Sequence, residues 1–405
     1  NQNLQYVNIV IRKMKICVYG MGNVGLATAS YLTQAGHDIV LTGRGKHACD
    51  AERIMVDYAD SVEPPKDEKR DIIEVRVTPD LECAMEDAEL VLLALSAQAH
   101  GTVGGNFSTY LSEDVPIILF PGKFASSYLL RKGVEGDYRI GEVSSSIFYA
   151  KQPEADDLDG ATYGVRIMNK KRALGYAGLR EDDNEEIVRM LNELFGEGSF
   201  VDGVSPFCVA LQNNDSTINA VSVIANENVV NCLANDQVVR RISGGSTEGG
   251  IELSVYGALS GFAAERMEEI YEVRRQIAEK LGHKLSDLKT WLMRVDENND
   301  GDMEVEEMLF NTYGKKTIRV DDLYGDRRLV EDIPFGLVPL EALAKKLDIG
   351  ADPVTRTIDR GNAVWHRGQA KAGNQPSNGD HFRDVGCGFD DFSVELDMAI
   401  RVRVQ

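Results

Sequence analysis

Long apolar runs and paired cysteines are both missing from this sequence of 405 residues. No stretch approaches the roughly 20 apolar residues of a membrane-spanning helix, so we expect no membrane partner. The six cysteines form no CxxC pair and have no histidine at zinc-binding spacing, which is typical of reduced thiols in a cytoplasmic protein. Basic residues are outnumbered, with 44 Lys and Arg against 65 Asp and Glu, which argues against a nucleic-acid partner.

A glycine-rich turn is the first motif that is present. The stretch "KICVYG" is typical of a buried parallel strand, and Gly20, Gly22 and Gly25 follow in the spacing GxGxxG before a helical pattern. In dinucleotide-binding folds these glycines permit a tight turn, approach of the pyrophosphate and close helix packing, in that order. The helix N-terminus, with Asn23 and Val24, offers N–H groups to phosphates. The pattern predicts a Rossmann-type cofactor site, against the alternative of a glycine-rich turn without ligand.

The segment after the second predicted strand, "TGRGKH", indicates which cofactor binds. NAD-dependent enzymes usually carry an Asp or Glu there for the ribose 2′-hydroxyl. This sequence has Arg44 and Lys46 instead, and both can pair with a 2′-phosphate. We therefore expect NADP rather than NAD, with a solvated basic loop as the alternative.

The strand and helix patterns divide the sequence into two halves. "AELVLLALSAQAH" and "VPIILFPG" contain buried strands, whose carboxyl ends are where open α/β sheets bind ligands. Strand patterns fade from Pro206 and helical patterns follow, while the polar segment 368–380 is typical of a loop. We predict an N-terminal extension over residues 1–13, an α/β Rossmann-type dinucleotide-binding domain over 14–203, and a mostly α-helical domain over 204–405.

Several motifs resemble those of the octopine/nopaline (opine) dehydrogenases. They are "SAQAH" (Ser96 to His100), "FPG" (ending at Gly122), "GEVSSS", "NTYG" and, most specifically, "RRLVEDIPFGLVPL" from Arg327. The resemblance implies an enzyme that joins an amino acid to a 2-oxo acid and reduces the imine with NAD(P)H. It leaves open which two substrates these are, and the oligomeric state.

The resemblance also implies roles for individual residues. Arg327 matches the family's substrate-anchoring arginine, and Asp332 matches the aspartate that holds its catalytic histidine. His100 would shape the nicotinamide pocket, with acid/base catalysis as the alternative. The alternative for Arg327 and Asp332 is a salt bridge that fixes a loop, and Asp332 would also suit a helix N-terminus.

One motif departs from the family pattern. In "TINAVSVIAN", Asn219 agrees with the family, but Val223 occupies the histidine position and Ile224 the proline position. Valine cannot move a proton, so another residue replaces the histidine, the register differs, or the opine reaction is lost. Two alternative functions stay open: a calcium-responsive dinucleotide-binding protein without opine activity, and a reductase of another small carbonyl substrate.

A calcium-loop pattern lies in the second half, over residues 296–307. The EF-hand spacing D-x-[DN]-x-[DN]-G-x5-E is complete in "DENNDGDMEVEE". Calcium needs oxygen ligands, and the pattern predicts them from Asp296, Asn298, Asp300, Asp302 and Glu307. An apolar helical face precedes the loop, whereas the following helix pattern is short. The alternative is an acidic, solvated turn.

Overall fold

A computed structural model describes residues 12–43, 50–66, 68–153, 157–233, 252–257, 259–295, 298–314, 317–372 and 380–386. The chain forms two compact units, Asn1–Val209 and Ala210–Gln405. The first unit thus extends beyond the predicted residue 203, because Val209 packs closely on Gly203 next to the last strand. The predictions for residues 1–11, Arg44, Lys46 and Asp296 lie outside the described residues.

The first unit is built on one large sheet. Its strands are Lys15–Tyr19 (β1), Asp38–Thr42 (β2), Asp50–Tyr58 (β3), Arg70–Thr78 (β4), Leu90–Leu93 (β5), Ile117–Leu119 (β6), Ile140–Val143 (β7), Phe148–Lys151 (β8), Tyr163–Lys170 (β9), Leu174–Gly178 (β10) and Phe200–Asp202 (β11). Within the described part of the chain, they lie in the order β11-β10-β7-β6-β5-β1-β2-β4-β3-β9-β8. The pairs from β7 through β6, β5, β1 and β2 to β4 are all parallel.

The helices of the first unit cover the sheet on both faces. They are Asn23–Gln34 (α1), Leu81–Met85 (α2), Ala97–Val103 (α3), Phe107–Tyr110 (α4), Ser126–Lys132 (α5) and Asn184–Phe195 (α6), with 3-10 turns at Gly104–Asn106 and Glu181–Asp183. Alternate residues of β1 belong to different core clusters, with Ile16 and Val18 in one and Cys17 in the other. A parallel strand buried on both faces needs such a continuous apolar run.

Strands β3 and β4, which lie beyond β2 in the sheet, were not predicted, whereas the sequence patterns around β8 and β9 are typical of strands. β3 and β4 form an antiparallel pair, and β9 then pairs in parallel with β3. The sequence of β4 alternates apolar and polar residues, with Val75 and Val77 buried and Glu74 exposed, as expected for a strand with one solvated face.

The second unit is mostly helical. After Pro206–Gln212 (α7), which spans the boundary between the units, its helices are Asp215–Leu233 (α8), Gly261–Lys280 (α9), Leu288–Val295 (α10), Val305–Tyr313 (α11), Arg327–Val330 (α12), Val338–Lys346 (α13), Asp352–Lys371 (α14) and His381–Val385 (α15). A 3-10 helix, Val320–Gly325, a π-helix, Ile333–Leu337, and a small antiparallel sheet of Glu252–Ser254 (β12) and Thr317–Arg319 (β13) complete it. Among the described residues, no helix is long and apolar enough to cross a membrane.

Helix α14 corrects one loop prediction. Residues 368–371, expected in a loop, belong to this helix, while 373–379 lie outside the described residues. The segment looked turn-rich partly because of Gly368, but a Cβ there would lie 2.4 Å from Tyr324 Cβ. Gly368 therefore permits close packing of a helix rather than a turn.

A buried carboxylate joins three helices of this unit. Glu341 on α13 accepts hydrogen bonds of 2.9 Å to each oxygen from Arg383 on α15. Thr355 on α14 donates a further one, and Lys345 Nζ lies 3.0 Å away. Burial alone would raise the pKa of Glu341, but these hydrogen bonds lower it to about 2. The charged form of Glu341 therefore stabilises the fold.

Candidate cofactor and substrate sites

Gly20 occupies a place that no other residue fits. Its φ is +129°, a conformation that disfavours side chains, and its N–H donates to the Thr42 carbonyl at 2.8 Å. A Cβ on Gly20 would lie 2.2 Å from the Ala94 carbonyl oxygen. The turn therefore passes directly over the ends of β2 and β5, where α1 begins.

Gly25 and Gly22 differ in what surrounds them. A Cβ on Gly25 would lie 1.7 Å from the Gly20 carbonyl oxygen, whereas one on Gly22 would meet no described atom within 4 Å. Gly25 thus serves the packing of α1 on the turn. Gly22 is exposed, so its backbone is open to a ligand.

The N-terminus of α1 can receive an anion. The first helical residues, Asn23 and Val24, are half-buried, and the first turn has no acidic residue. The first N–H groups of a helix have no partner within the helix and carry its positive dipole end. A pyrophosphate at the exposed Gly22 would meet these donors.

Ser96 and His100 lie at the start of α3, just after β5. Ser96 precedes the first helical residue and is exposed, while His100 is fully buried. Its Nε2 lies 3.3 Å from the Leu95 carbonyl oxygen. Burial lowers the pKa of His100 to about 4, with the charge of Lys123 acting in the same direction. His100 is therefore neutral at physiological pH, which suits a pocket-shaping role better than proton donation.

Gly122 leaves room for a buried carboxyl group that the sequence reasoning missed. A Cβ on Gly122 would lie 2.7 Å from the Cβ of Glu142, on the neighbouring strand β7. Glu142 is fully buried and accepts a 2.6 Å hydrogen bond from the Ser127 N–H. Burial raises its pKa to about 8, so it is mostly protonated at neutral pH. A Glu inside the otherwise apolar strand sequence "IGEV" was the available signal.

In the second unit, two of the predicted site residues meet. Asn219 on α8 donates from Nδ2 to Asp332 Oδ2 at 2.8 Å. The close approach has a local cause, because a Cβ on Gly336 in the π-helix would lie 1.9 Å from Ser216 Oγ on α8. The small residue lets the π-helix, with Asp332 at its start, pack directly on α8.

Arg327 lies one turn before Asp332, and its side chain is accessible. The side chain is 74% exposed and its Nη1 is 4.0 Å from Glu331 Oε2. The next residue, Arg328, is only 17% exposed and forms a 2.9 Å ion pair with Asp326. Of these two adjacent arginines, Arg327 is therefore the one that can receive a carboxylate from solution.

Tyr256, which was not predicted as a site residue, is hydrogen-bonded to Asn219. Its hydroxyl donates to Asn219 Oδ1 at 2.5 Å, and the Arg328 guanidinium carbon lies 6.0 Å from the centre of its ring. The sequence around Tyr256 has no periodic pattern that marks it. Val223, which the predicted resemblance places at the family's histidine position one turn after Asn219, is fully buried.

The calcium-loop pattern lies between two helices, as predicted. α10 precedes it and α11 follows, ending before Gly314. Asp300 Oδ1 accepts a 2.9 Å hydrogen bond from the Asp302 N–H. Asn299 binds the Leu292 carbonyl at 3.1 Å and Thr312 Oγ1 at 2.9 Å, which ties the loop to both helices.

The predicted carboxylate ligands that the structure describes, Asp300, Asp302 and Glu307, do not form a metal-binding cluster. Asn298, Asp300, Asp302 and Glu307 are all exposed. In the part of the chain that the structure describes, which excludes Asp296, no three His, Cys, Asp or Glu side chains are grouped closely enough to hold a metal.

Fold and site together define a class: a Rossmann-type dinucleotide-binding unit followed by a helical unit, as predicted. Residues 210–365 match the sequence model of a family described as NAD/NADP octopine/nopaline dehydrogenase, alpha-helical domain. Residues 15–162 match a second family, described as NAD-dependent glycerol-3-phosphate dehydrogenase N-terminus. The predicted resemblance to opine dehydrogenases is thereby confirmed for the helical unit. The predicted nicotinamide cofactor is confirmed as NAD or NADP, and the choice of NADP stays a prediction.

Individual proteins resemble this chain in part of its sequence or in its fold. An opine dehydrogenase of Arthrobacter sp. (strain 1C) is 29% identical over 150 residues, which are 34% of this chain and 39% of that relative. The chain thus aligns with well under half of this curated relative's length. Octopine dehydrogenase in complex with NADH and agmatine gives a TM-score of 0.64 at 15% identity, over 92% of this chain and 93% of that one. Yersinopine dehydrogenase with NADP+ bound gives a TM-score of 0.65 at 12% identity, over 97% of this chain and 100% of that one. These two likenesses establish the fold alone.

Proposed function

We propose that this protein is an NADP(H)-dependent oxidoreductase that reduces the imine formed from an amino acid and a 2-oxo acid. The observation that carries the proposal is the hydrogen bond between Asn219 and Asp332, 2.8 Å long, beside the exposed Arg327. It brings together residues whose motifs are 113 positions apart in the chain. They lie within the stretch that matches the octopine/nopaline dehydrogenase family.

The residues of the helical unit suit an anionic substrate. A 2-oxo acid carries a carboxylate, which a guanidinium binds through two parallel hydrogen bonds. Arg327 is the proposed anchor, because its guanidinium is exposed and only loosely paired with Glu331. Asn219 supplies a neutral amide that can hydrogen-bond a second substrate oxygen.

The residues of the Rossmann unit suit the cofactor. When bound, NADPH supplies the hydride that reduces the carbon of the C=N bond. The exposed backbone of Gly22 and the N-terminus of α1 are proposed to hold the pyrophosphate. Arg44 and Lys46 are proposed to bind the 2′-phosphate, on the basis of the sequence.

Calcium is a second proposed ligand, at the loop between α10 and α11. The helix–loop–helix arrangement and the complete EF-hand spacing support it. Since Asp300, Asp302 and Glu307 are exposed rather than clustered, they would have to converge on the ion. We therefore expect modest affinity.

A turnover assay tests the proposed reaction. NADPH oxidation is followed with an amino acid, with a 2-oxo acid, and with both, across a panel of each, and the product is identified by mass spectrometry. The proposal requires that oxidation depend on both substrates and yield a secondary amine. Oxidation with the oxo acid alone would instead indicate a carbonyl reductase. NADPH binding without turnover on any pair would favour the calcium-responsive binding protein.

A further inference from the structure

We propose that Tyr256 is a positioning residue for substrate binding, because it fixes the orientation of the Asn219 amide between itself and Asp332. The inference rests on the proposed function for its catalytic consequence. Its structural basis is a chain of two hydrogen bonds, from the Tyr256 hydroxyl to Asn219 Oδ1 and from Asn219 Nδ2 to Asp332 Oδ2.

The two partners determine which way the amide points. An asparagine amide has an acceptor side and a donor side, which could exchange by a flip of the group. A carboxylate only accepts hydrogen bonds, so Asp332 selects the Nδ2 side. The Tyr256 hydroxyl donates to the other side at 2.5 Å. A flipped amide would place Oδ1 against the carboxylate and lose that bond, and the Tyr256 hydroxyl would then have to accept from Nδ2 instead of donating to Oδ1.

The exposure of the three hydrogen-bonded residues shows which of them can touch a ligand. Asp332 is 1% exposed and Tyr256 is 2% exposed, whereas Asn219 is only partly buried. The amide nitrogen has two hydrogens, and Asp332 takes one of them. The second can therefore be directed at a substrate oxygen, so the ligand class is a carboxylate or carbonyl oxygen. A neutral amide binds such an oxygen but does not deliver a proton to it.

Tyr256 is itself held firmly, as a positioning residue must be. Its ring packs on Tyr313 of α11, with ring centres 5.3 Å apart. The preceding residue, Val255, accepts a 2.7 Å hydrogen bond from Asn226 Nδ2 on α8. Burial raises the pKa of Tyr256 further above neutrality, so its hydroxyl stays a donor at any working pH. The backbone next to Tyr256 is thus tied to α8, the helix that also carries Asn219.

The test compares Tyr256→Phe with the wild-type chain in steady-state kinetics. We expect kcat/KM for the 2-oxo acid to fall roughly tenfold, the effect of one hydrogen bond, with the KM for NADPH unchanged. In an Asn219→Ala background the same substitution should change kcat/KM less than about twofold, because the group it positions is gone. Equal losses in the two backgrounds, or no loss in the first, would overturn the inference.

A second measurement does not depend on turnover. The side-chain amide signals of Asn219 are assigned in 15N NMR spectra by their loss in Asn219→Ala, and they should shift in Tyr256→Phe without any substrate. Tyr138→Phe is the matched control, since Tyr138 is a buried tyrosine whose hydroxyl donates to the Leu111 carbonyl. If these signals shift while no substrate pair turns over, the positioning stands and the proposed function fails. If the wild type is active and both the signals and kcat/KM are unaltered, the positioning fails alone.

Discussion

Alanine substitutions at Gly22 and Gly25, two glycines of one motif, should impair different properties: cofactor binding at Gly22 and stability at Gly25. Gly22→Ala adds a methyl group where no described atom lies within 4 Å, at a φ of −78° that any residue adopts. Gly25→Ala adds it 1.7 Å from the Gly20 carbonyl oxygen. The first change should impair cofactor binding and spare the fold, and the second should damage the fold.

The magnitudes follow from these surroundings. At Gly22, alanine restricts the unfolded chain, which stabilises by about 0.4–1 kcal/mol, but it is a poorer helix cap than glycine. The free energy of unfolding should therefore stay within about 1 kcal/mol of wild type. A methyl group that displaces one hydrogen bond to the pyrophosphate costs about 1.5–3 kcal/mol, or roughly 10–150-fold in Kd for NADPH.

At Gly25 the clash is with backbone, so no rotamer change relieves it. Overpacking of this kind costs about 1–3 kcal/mol. For a unit of this size that lowers Tm by roughly 2–12 °C.

Two assays separate the outcomes. Thermal unfolding followed by circular dichroism, without cofactor, measures stability, and the fluorescence of bound NADPH measures affinity. The reasoning is refuted if Gly22→Ala binds NADPH as tightly as the wild type, since the backbone there would then not approach the cofactor. It is also refuted if Gly25→Ala unfolds at the wild-type temperature.

Four further predictions concern the cofactor, the substrate, the fold and the loop. Arg44→Asp should weaken NADPH binding and reverse the preference over NADH in paired titrations; equal affinities of the wild type for both cofactors would remove the basis for NADP. Arg327→Leu should raise the oxo-acid KM strongly and leave NADPH binding intact, with the exposed Arg356→Leu as control; an unchanged KM would make Arg327 structural. The pKa of Glu341 is lowered from 4.5 to about 2, so ionised Glu341 should stabilise the fold by about 3 kcal/mol above about pH 4.5, and this stabilisation should be lost as the pH falls towards 2. In urea titrations at several pH values, Glu341→Gln should remove this part of the acid dependence. An unaltered pH profile would contradict the prediction. Calorimetry should detect calcium binding to the wild type and weaker binding to Glu307→Gln; no heat at millimolar calcium would leave the loop an acidic turn.

The first half of the fold could be predicted because its signals are local. A buried strand, a glycine turn and a helix follow one another within about twenty residues, and each element has its own pattern. A strand pattern alone does not predict where β3 lies in the sheet, because β3 pairs with β9, which is about a hundred residues away in the sequence. No rule of short-range spacing reports such a pairing.

The candidate site was predictable only where a motif carried it. Asn219 and Asp332 were named from separate motifs, but their hydrogen bond depends on the packing of Gly336 against Ser216. Tyr256 lies outside every motif and joins them only through the tertiary fold. α14 was obscured by its glycines, which lower helix propensity but here permit close packing.

The contact between Tyr313 and Tyr256 links the loop between α10 and α11 to the residues that are proposed to bind substrate. Tyr313 ends α11, the helix that follows the loop, and its ring lies 5.3 Å from that of Tyr256. An ion that fixed α11 would therefore act on the Tyr256 hydroxyl, which is proposed to orient Asn219. Energetic coupling between two ligands is reciprocal, and typical values of about 1–3 kcal/mol correspond to roughly 5–150-fold in affinity. A calcium titration repeated with saturating oxo acid would then report on the substrate residues, and Tyr313→Leu should uncouple the two ligands while each still binds.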